Sequence, residues 1–154
     1  MPESHEFAPR AMSRSMTIAS SVLLVAGSLL LAGCSGASSL ESELIAAVEV
    51  SDGSLVISAL PSVSGSSFLI VCPYESADSV DDRLGFTWAD APDYSQSDDR
   101  QSLVIIDDGR VVTHLVLARD RVDFCSGEPW RPLLTDMELL VSPSSTPIAV
   151  TLPG

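Results

Sequence analysis

The stretch from Leu103 to Ala118 reads LVIIDDGRVVTHLVLA and is the strongest fold signal in the chain. Two apolar runs rich in β-branched residues flank the turn Asp107–Arg110, which contains an Asp-Gly pair. Asp-Gly between apolar runs is typical of a β-hairpin, because both residues tolerate the positive φ that tight turns require. The sequence therefore predicts two antiparallel strands joined at this turn.

A second Asp-Gly pair, Asp52-Gly53, also lies between apolar runs, at Ala47–Val50 and Leu55–Ser58. The same argument predicts a second hairpin over these residues. The run Phe68–Cys72 is continuously apolar, which is typical of a central strand buried on both faces. Further short apolar runs predict strands near three ranges: 122–125, 138–141 and 148–152.

Residues 77–84 carry the one clear helix signal. Ser76 precedes them as an N-cap, Asp78 lies in the first turn and Arg83 in the last. These charges match the helix dipole, and Gly85 follows at the position where helices commonly end. The pattern predicts a short helix laid on the core.

The N-terminal segment resembles a secretory leader in its charge and hydropathy. An uncharged apolar run from Met16 to Ala32 follows two basic residues, Arg10 and Arg14. A basic start, a short apolar run and small residues at the cleavage site define a secretory signal peptide. A transmembrane helix is the less favoured interpretation, because it needs about 20 apolar residues and serines interrupt this shorter run.

The last four residues of this segment, Leu31-Ala32-Gly33-Cys34, resemble the lipobox of bacterial lipoproteins. The resemblance covers residues 12–34. It implies that the Cys34 thiol carries a diacylglyceryl group, that residues 1–33 are removed, and that the new amino group is open to acylation. Because two acyl chains anchor a protein stably, we expect a lipoprotein on the extracytoplasmic face of the cell membrane. Residues 34–43 are Ser-rich and predict a flexible tether.

The lipobox accounts for one of the three cysteines, Cys34. Cys72 and Cys125 remain as an even pair outside the cell. Thiols in an oxidising compartment normally pair. The sequence therefore predicts a disulfide bond between Cys72 and Cys125.

Seven to nine short strands and one helix favour a mainly β fold for residues 44–154. We predict a small disulfide-linked β-sandwich or open barrel with one short helix. An α+β fold, with the helix on one face of an antiparallel sheet, is the alternative. A segment of this length is able to bury a core of its own and suits a single domain.

The net charge is −13, and the chain contains no lysine. Residues 1–33 are neutral, with two Arg and two Glu, so residues 34–154 carry all of the net charge. Such a domain repels phosphates and anionic surfaces. Besides the membrane reached through its lipid anchor, we expect a cationic ligand or another envelope protein as partner, and no nucleic acid.

The acidic loop 89–101 is the predicted contact surface, because loops on a rigid scaffold often carry function. Its candidate binding residues are Asp90, Asp93, Asp98 and Asp99. Trp130, which lies between Pro129 and Pro132, is a further candidate, since exposed aromatic side chains mark binding sites. The aspartates lack EF-hand spacing, and too few Cys and His are present for zinc. We predict a solvated loop with no metal and no cofactor; a calcium site on the dense aspartates, whose oxygens suit Ca²⁺, is the alternative.

His114 is the one histidine after residue 33, and it lies in the middle of a predicted strand. Its neighbours on the same face, Val112 and Val116, predict a structural, hydrogen-bonded histidine. No Gly-x-Ser-x-Gly sequence accompanies it, and a catalytic triad needs a base beside its nucleophile. The sequence favours a non-enzymatic binding module. The alternatives are a small hydrolase that uses Asp or Glu with His114, and a structural component of the cell envelope.

Overall fold

The computed structural model describes residues 36–127 and 131–153, which form a mainly β fold. The elements in chain order are α1 (Gly36–Glu49), β1 (Ser54–Val56), β2 (Ser67–Val71), α2 (Ala77–Leu84), β3 (Arg100–Asp107), β4 (Arg110–Ala118), β5 (Val122–Asp123), β6 (Leu133–Leu134), β7 (Glu138–Ser142) and β8 (Ile148–Thr151). Neither helix in this part of the chain is long and apolar enough to cross a membrane.

The described part of the chain contains two open sheets of four strands each. The larger sheet, which has the longer strands, has the order β4-β3-β2-β6 and is antiparallel throughout. Strands β3 and β4 form the hairpin predicted from the Asp-Gly pair, with Leu103 opposite Leu115. Asp108 and Gly109 both have positive φ, at 48° and 70°, as a two-residue hairpin turn requires. Strands β2 and β3 are buried on both faces, which agrees with their continuously apolar sequence.

The smaller sheet has the order β1-β7-β8-β5, and its last pair is parallel. Gln101 on β3 joins the two sheets: its side chain donates to the backbone oxygen of Val122 at 2.5 Å and accepts from the Phe124 N–H at 3.0 Å. The disulfide between Cys72 and Cys125, which the sequence predicts, is present. It constrains the unfolded chain and contributes roughly 4 kcal/mol in the loop-entropy treatment.

Helix α2 forms where its capping residues predict it. The Ser76 hydroxyl accepts from the Ser79 N–H at 3.3 Å, and Gly85 adopts the left-handed conformation at the C-terminus. Val80 is fully buried. The helix therefore packs its apolar side on the core and leaves Asp78 and Asp82 exposed to solvent, whereas Asp81 is half-buried and accepts from the Trp88 N–H.

The N-terminal part of the domain differs from the expectation. The sequence predicts a flexible tether over residues 34–43 and a hairpin strand at 47–50, but Gly36–Glu49 form helix α1, so the second hairpin, predicted around Asp52-Gly53, is absent. Leu40, Leu44 and Val48 recur every four residues and are all fully buried. That spacing places them on one side of a helix, so α1 belongs to the core. The described residues thus contain two helices rather than one, and the domain includes residues before 44.

Cys34 and the predicted leader, residues 1–33, lie outside the part of the chain that the structure describes.

Candidate functional site

The site is built on residues 74–99, the segment between β2 and β3, here named the acidic layer. It contains eight Asp and Glu residues and one arginine. Its net charge of −7 is more than half of the −13 of the chain. The segment lies over the face of the larger sheet that carries Ser102 and His114, because Tyr94 and Trp88 contact these two residues.

The central contact is a chain of three polar side chains. The Tyr94 hydroxyl lies 2.7 Å from the Ser102 hydroxyl, which lies 2.9 Å from Nε2 of His114. The ring of Trp88 meets the His114 ring edge-on at 5.0 Å between centroids. Residues from the acidic layer, β3 and β4 are thereby joined, and Tyr94 is buried. Sequence reasoning expected a hydrogen-bonded histidine but not these partners.

The surroundings of His114 favour the neutral form of its imidazole. Burial lowers the pKa of His114, and the nearby charge of Asp90 acts in the opposite direction with smaller effect. In the neutral tautomer without a proton on Nε2, the imidazole accepts from the Ser102 hydroxyl and Tyr94 then donates to Ser102, whereas in the other neutral tautomer Nε2–H donates to Ser102. Protonation of His114 makes both ring nitrogens donors, so Nε2 then donates to Ser102 in either case.

An ion pair fixes the other side of the acidic layer. Arg83 at the end of α2 pairs with Glu75, and its guanidinium also donates to the backbone oxygen of Ile70 at 3.2 Å. Burial raises the pKa of Glu75, and the charge of Arg83 offsets part of this shift. The pair uses the segment's single arginine, so the remaining carboxylates have no cation from residues 74–99. Asp81 is half-buried and accepts from the Trp88 N–H at 3.0 Å, and Asp99 lies 4.0 Å from Arg100, the residue after the segment.

Backbone hydrogen bonds close the two ends of the segment. The Tyr94 N–H donates to the Glu75 oxygen at 2.8 Å, and the Arg119 N–H donates to the Asp99 oxygen at 3.1 Å. The Arg119 side chain also donates to the Asp98 backbone oxygen at 3.1 Å. The backbone that carries the aspartates is therefore fixed at several points along its length.

All four predicted aspartates, Asp90, Asp93, Asp98 and Asp99, are exposed on the acidic layer. Local hydrogen bonds with Ser95 lower the pKa of Asp93, and a bond from the Ser97 hydroxyl lowers the pKa of Asp99. Both carboxylates are thus charged over the physiological range. The other predicted contact residue, Trp130, lies outside the described residues.

Two acidic residues that the loop prediction did not include belong to the same surface. Asp81 and Asp82 of α2 line a shallow concavity of about 320 Å³ together with Gly85, Phe86 and Thr87. The sequence could have placed Asp81 and Asp82 on this surface, because both lie in the predicted helix 77–84 and directly follow Val80, the residue that α2 buries. The acidic surface therefore extends beyond the loop 89–101 onto α2.

The arrangement limits what chemistry the described residues offer. Ser102 is next to a histidine but has no exposed surface, and the Tyr94 hydroxyl occupies its oxygen. A substrate would reach Ser102 only if the acidic layer moved. Among residues 36–127 and 131–153, no group of three His, Cys, Asp or Glu side chains is placed to hold a metal ion.

No protein-family model, curated protein or solved structure matches this chain. The interpretation of the acidic layer therefore rests on its own geometry and charge.

Proposed function

We propose that this chain is a lipoprotein of the bacterial cell envelope that is anchored through Cys34 and binds a cationic partner through its acidic layer. The proposed role is non-enzymatic binding on the extracytoplasmic face of the membrane. The partner's chemistry follows from the surface: a protein segment or ligand that carries several positive charges.

The observation that carries this proposal is the way in which the acidic layer is fixed. A loop that only keeps a domain soluble needs no buried contacts, whereas this segment is held through Tyr94, Arg83 and Val80. Carboxylates on a fixed backbone lose little conformational freedom when a partner binds. Preorganisation of this kind supports recognition by charge.

The charge of the acidic layer gives the proposed interaction a distinct signature. Complementary charge speeds the encounter of two proteins, and salt weakens this effect when the charges are exposed. Binding should therefore weaken as salt is added, through a slower association rate above all.

The proposed anchor is supported by the sequence Leu31-Ala32-Gly33-Cys34 at the end of the apolar run. Cys34→Ser removes the thiol that would be lipidated. The protein should then move from the detergent phase to the aqueous phase on phase separation. Unchanged partitioning would count against lipid anchoring.

The binding proposal is tested by capture from solubilised native membranes with the purified protein as bait. The test variant converts Asp90, Asp93, Asp98 and Asp99 to Asn. The control variant removes the same charge elsewhere, at four exposed positions outside residues 74–99: Asp52→Asn, Asp108→Asn, Asp136→Asn and Glu138→Gln. Loss of a captured basic protein in the test variant alone supports the proposal, and equal capture by both variants contradicts it.

A hydrolase is the second candidate, and one contact favours it: Ser102 Oγ lies 2.9 Å from His114 Nε2, with the charge of Asp90 nearby. These are the residue types of a Ser-His-Asp triad. The complete burial of Ser102 argues against it. Turnover of an activated ester that His114→Ala and Ser102→Ala both abolish would establish the hydrolase and overturn the non-enzymatic role.

A further inference from the structure

Helix α1 is packed firmly into the domain close to its N-terminus. Leu40 and Leu44 have no exposed surface. The Glu43 carboxylate accepts from both the N–H and the hydroxyl of Ser62, at 2.9 and 2.7 Å. The Ser39 hydroxyl adds a 3.2 Å contact to the same serine. The chain is therefore part of the folded domain from Ser39 onward.

Little chain is left between this packed helix and the proposed lipid anchor. Six residues separate Cys34 from Leu40, so their Cα atoms are at most about 22 Å apart even when the chain is fully extended. Because α1 begins at Gly36, the helical rise shortens this limit to about 13 Å. A tether of this length holds the N-terminal end of α1 close to the lipid headgroups.

The segment that contacts that end of α1 carries no charge of its own. Residues 57–66, which contain Ser62, include no ionisable side chain. Their exposed members are small or apolar: Ser58, Ala59, Pro61, Ser64 and Ser66. The Glu43 carboxylate is engaged by Ser62, and the exposed Asp136 lies beside the segment, because the backbone of Thr135 bonds to both Ser58 and Ser66. We name residues 57–66 the neutral segment.

The acidic layer is attached near the other end of α1. Glu49, the last residue of the helix, pairs with Arg121 in the turn after β4. In the same turn, Arg119 holds the backbone of Asp98 and Asp99. Ser39, which contacts Ser62, and Glu49, which pairs with Arg121, are ten residues apart on the helix, about 15 Å, which is close to twice the screening length of about 8 Å at physiological salt.

We propose that the domain sits directly on the bilayer that carries its anchor, with the neutral segment 57–66 against the lipid headgroups and the acidic layer facing away from them. This inference rests on the proposed lipid anchoring. The short tether brings this end of α1 to the membrane, and anionic headgroups, which repel a domain of net charge −13, keep the strongly acidic layer turned away from them. The acidic layer is then presented outward to its partner rather than screened by lipid.

The test uses the full lipidated chain in vesicles of phosphatidylcholine with phosphatidylglycerol. A fluorophore is attached to a cysteine introduced at one of two exposed positions, Ser64→Cys in the neutral segment or Gln96→Cys in the acidic layer. A quencher fixed to lipid headgroups reports the distance from the membrane surface. We expect several-fold stronger quenching at position 64 than at position 96.

A matched variant tests the short tether directly. About twelve Gly and Ser residues inserted after Cys34 add roughly 20 Å of mean reach and should bring the two positions to similar, weaker quenching. Equal quenching without the insertion, in protein that still partitions into detergent, overturns the orientation and leaves lipid anchoring intact. Absence of quenching together with aqueous partitioning contradicts the anchor itself, and the orientation with it.

Discussion

Helix α1 and the acidic layer both cover strands of the larger sheet, but the contacts that hold them differ in part. Helix α1 packs through Leu40, Leu44 and Val48, three fully buried apolar side chains. The acidic layer also buries apolar side chains, Val80 among them, and adds polar contacts such as the Tyr94 to Ser102 bond. Apolar burial is therefore common to both, and the contacts of the acidic layer in addition include two groups with shifted pKa values, His114 and Glu75.

This difference separates stability from recognition within one small domain. Hydrophobic burial is insensitive to pH and is roughly proportional to area. The polar attachments of the acidic layer contribute less each but fix where its carboxylates stand. Substitutions in α1 should therefore change stability, and those in the acidic layer should change binding and pH dependence.

The largest effect is expected at the centre of α1. Leu44→Ala removes a fully buried side chain and should lower the free energy of unfolding by about 2–5 kcal/mol, equally at every pH near neutrality. Urea denaturation of the purified protein measures this. Leu140→Ala, at a half-exposed position, is the control and should cost less than about 1 kcal/mol. A small loss of stability in Leu44→Ala would contradict the packing of α1 into the core and favour a flexible tether.

A smaller effect is expected where the acidic layer meets β3. Tyr94→Phe keeps the buried ring but removes the hydroxyl that contacts Ser102 at 2.7 Å, and should cost about 1 kcal/mol. Tyr74→Phe is the matched control, because the Tyr74 ring is largely exposed. Comparable losses in the two variants would mean that the Tyr94 hydroxyl does not hold the layer.

The pH dependence of stability should follow His114. Because burial lowers its pKa in the folded protein, the unfolded chain binds a proton more readily below about pH 6.5. Stability is therefore complete above that pH and falls as the pH falls below it, with a slope of at most about 1.4 kcal/mol per pH unit for one proton. Thermal denaturation between pH 7 and pH 5 measures this loss.

Glu75 changes the stability with pH in the opposite direction from His114. Burial raises its folded pKa, so its contribution is lost as the pH rises through that pKa, and acidification favours the folded state at this residue. Its effect opposes that of His114 just above pH 4.5, the unperturbed value for Glu75. His114→Gln should remove the acid-side loss of stability. An unchanged profile in that variant would assign the loss to other groups.

The two Asp-Gly turns show what local sequence specifies and what it does not. Gly53 and Gly109 both have positive φ, but only the pair at Gly109 forms the predicted hairpin. The segment at Gly53 joins α1 to β1, so the hairpin prediction there was wrong. The dipeptide specifies a local bend, and the elements on either side follow from their own periodicity. For α1, that information lay in the four-residue spacing of Leu40, Leu44 and Val48.

The candidate site was predictable in its charge but not in its support. Exposed aspartates at 90, 93, 98 and 99 follow from composition and from the lack of apolar neighbours. The contact of Tyr94, Ser102 and His114 joins three elements. Such convergence depends on strand register and on the path of the segment after β2, neither of which is encoded within a short window of sequence.

The smallest effect on stability is expected from the exposed aspartates themselves. Conversion of Asp90, Asp93, Asp98 and Asp99 to Asn should change the free energy of unfolding by no more than about 0.5 kcal/mol, because the side-chain oxygens still accept hydrogen bonds. Relief of like-charge repulsion offsets part of any loss. Added salt should then stabilise the wild-type protein more than the variant, since salt screens the repulsion that the variant lacks. Denaturation curves at low and high salt measure both quantities. A loss above about 2 kcal/mol would show that these carboxylates hold the acidic layer in place, and reduced binding by the variant would then report a disturbed fold rather than a lost contact.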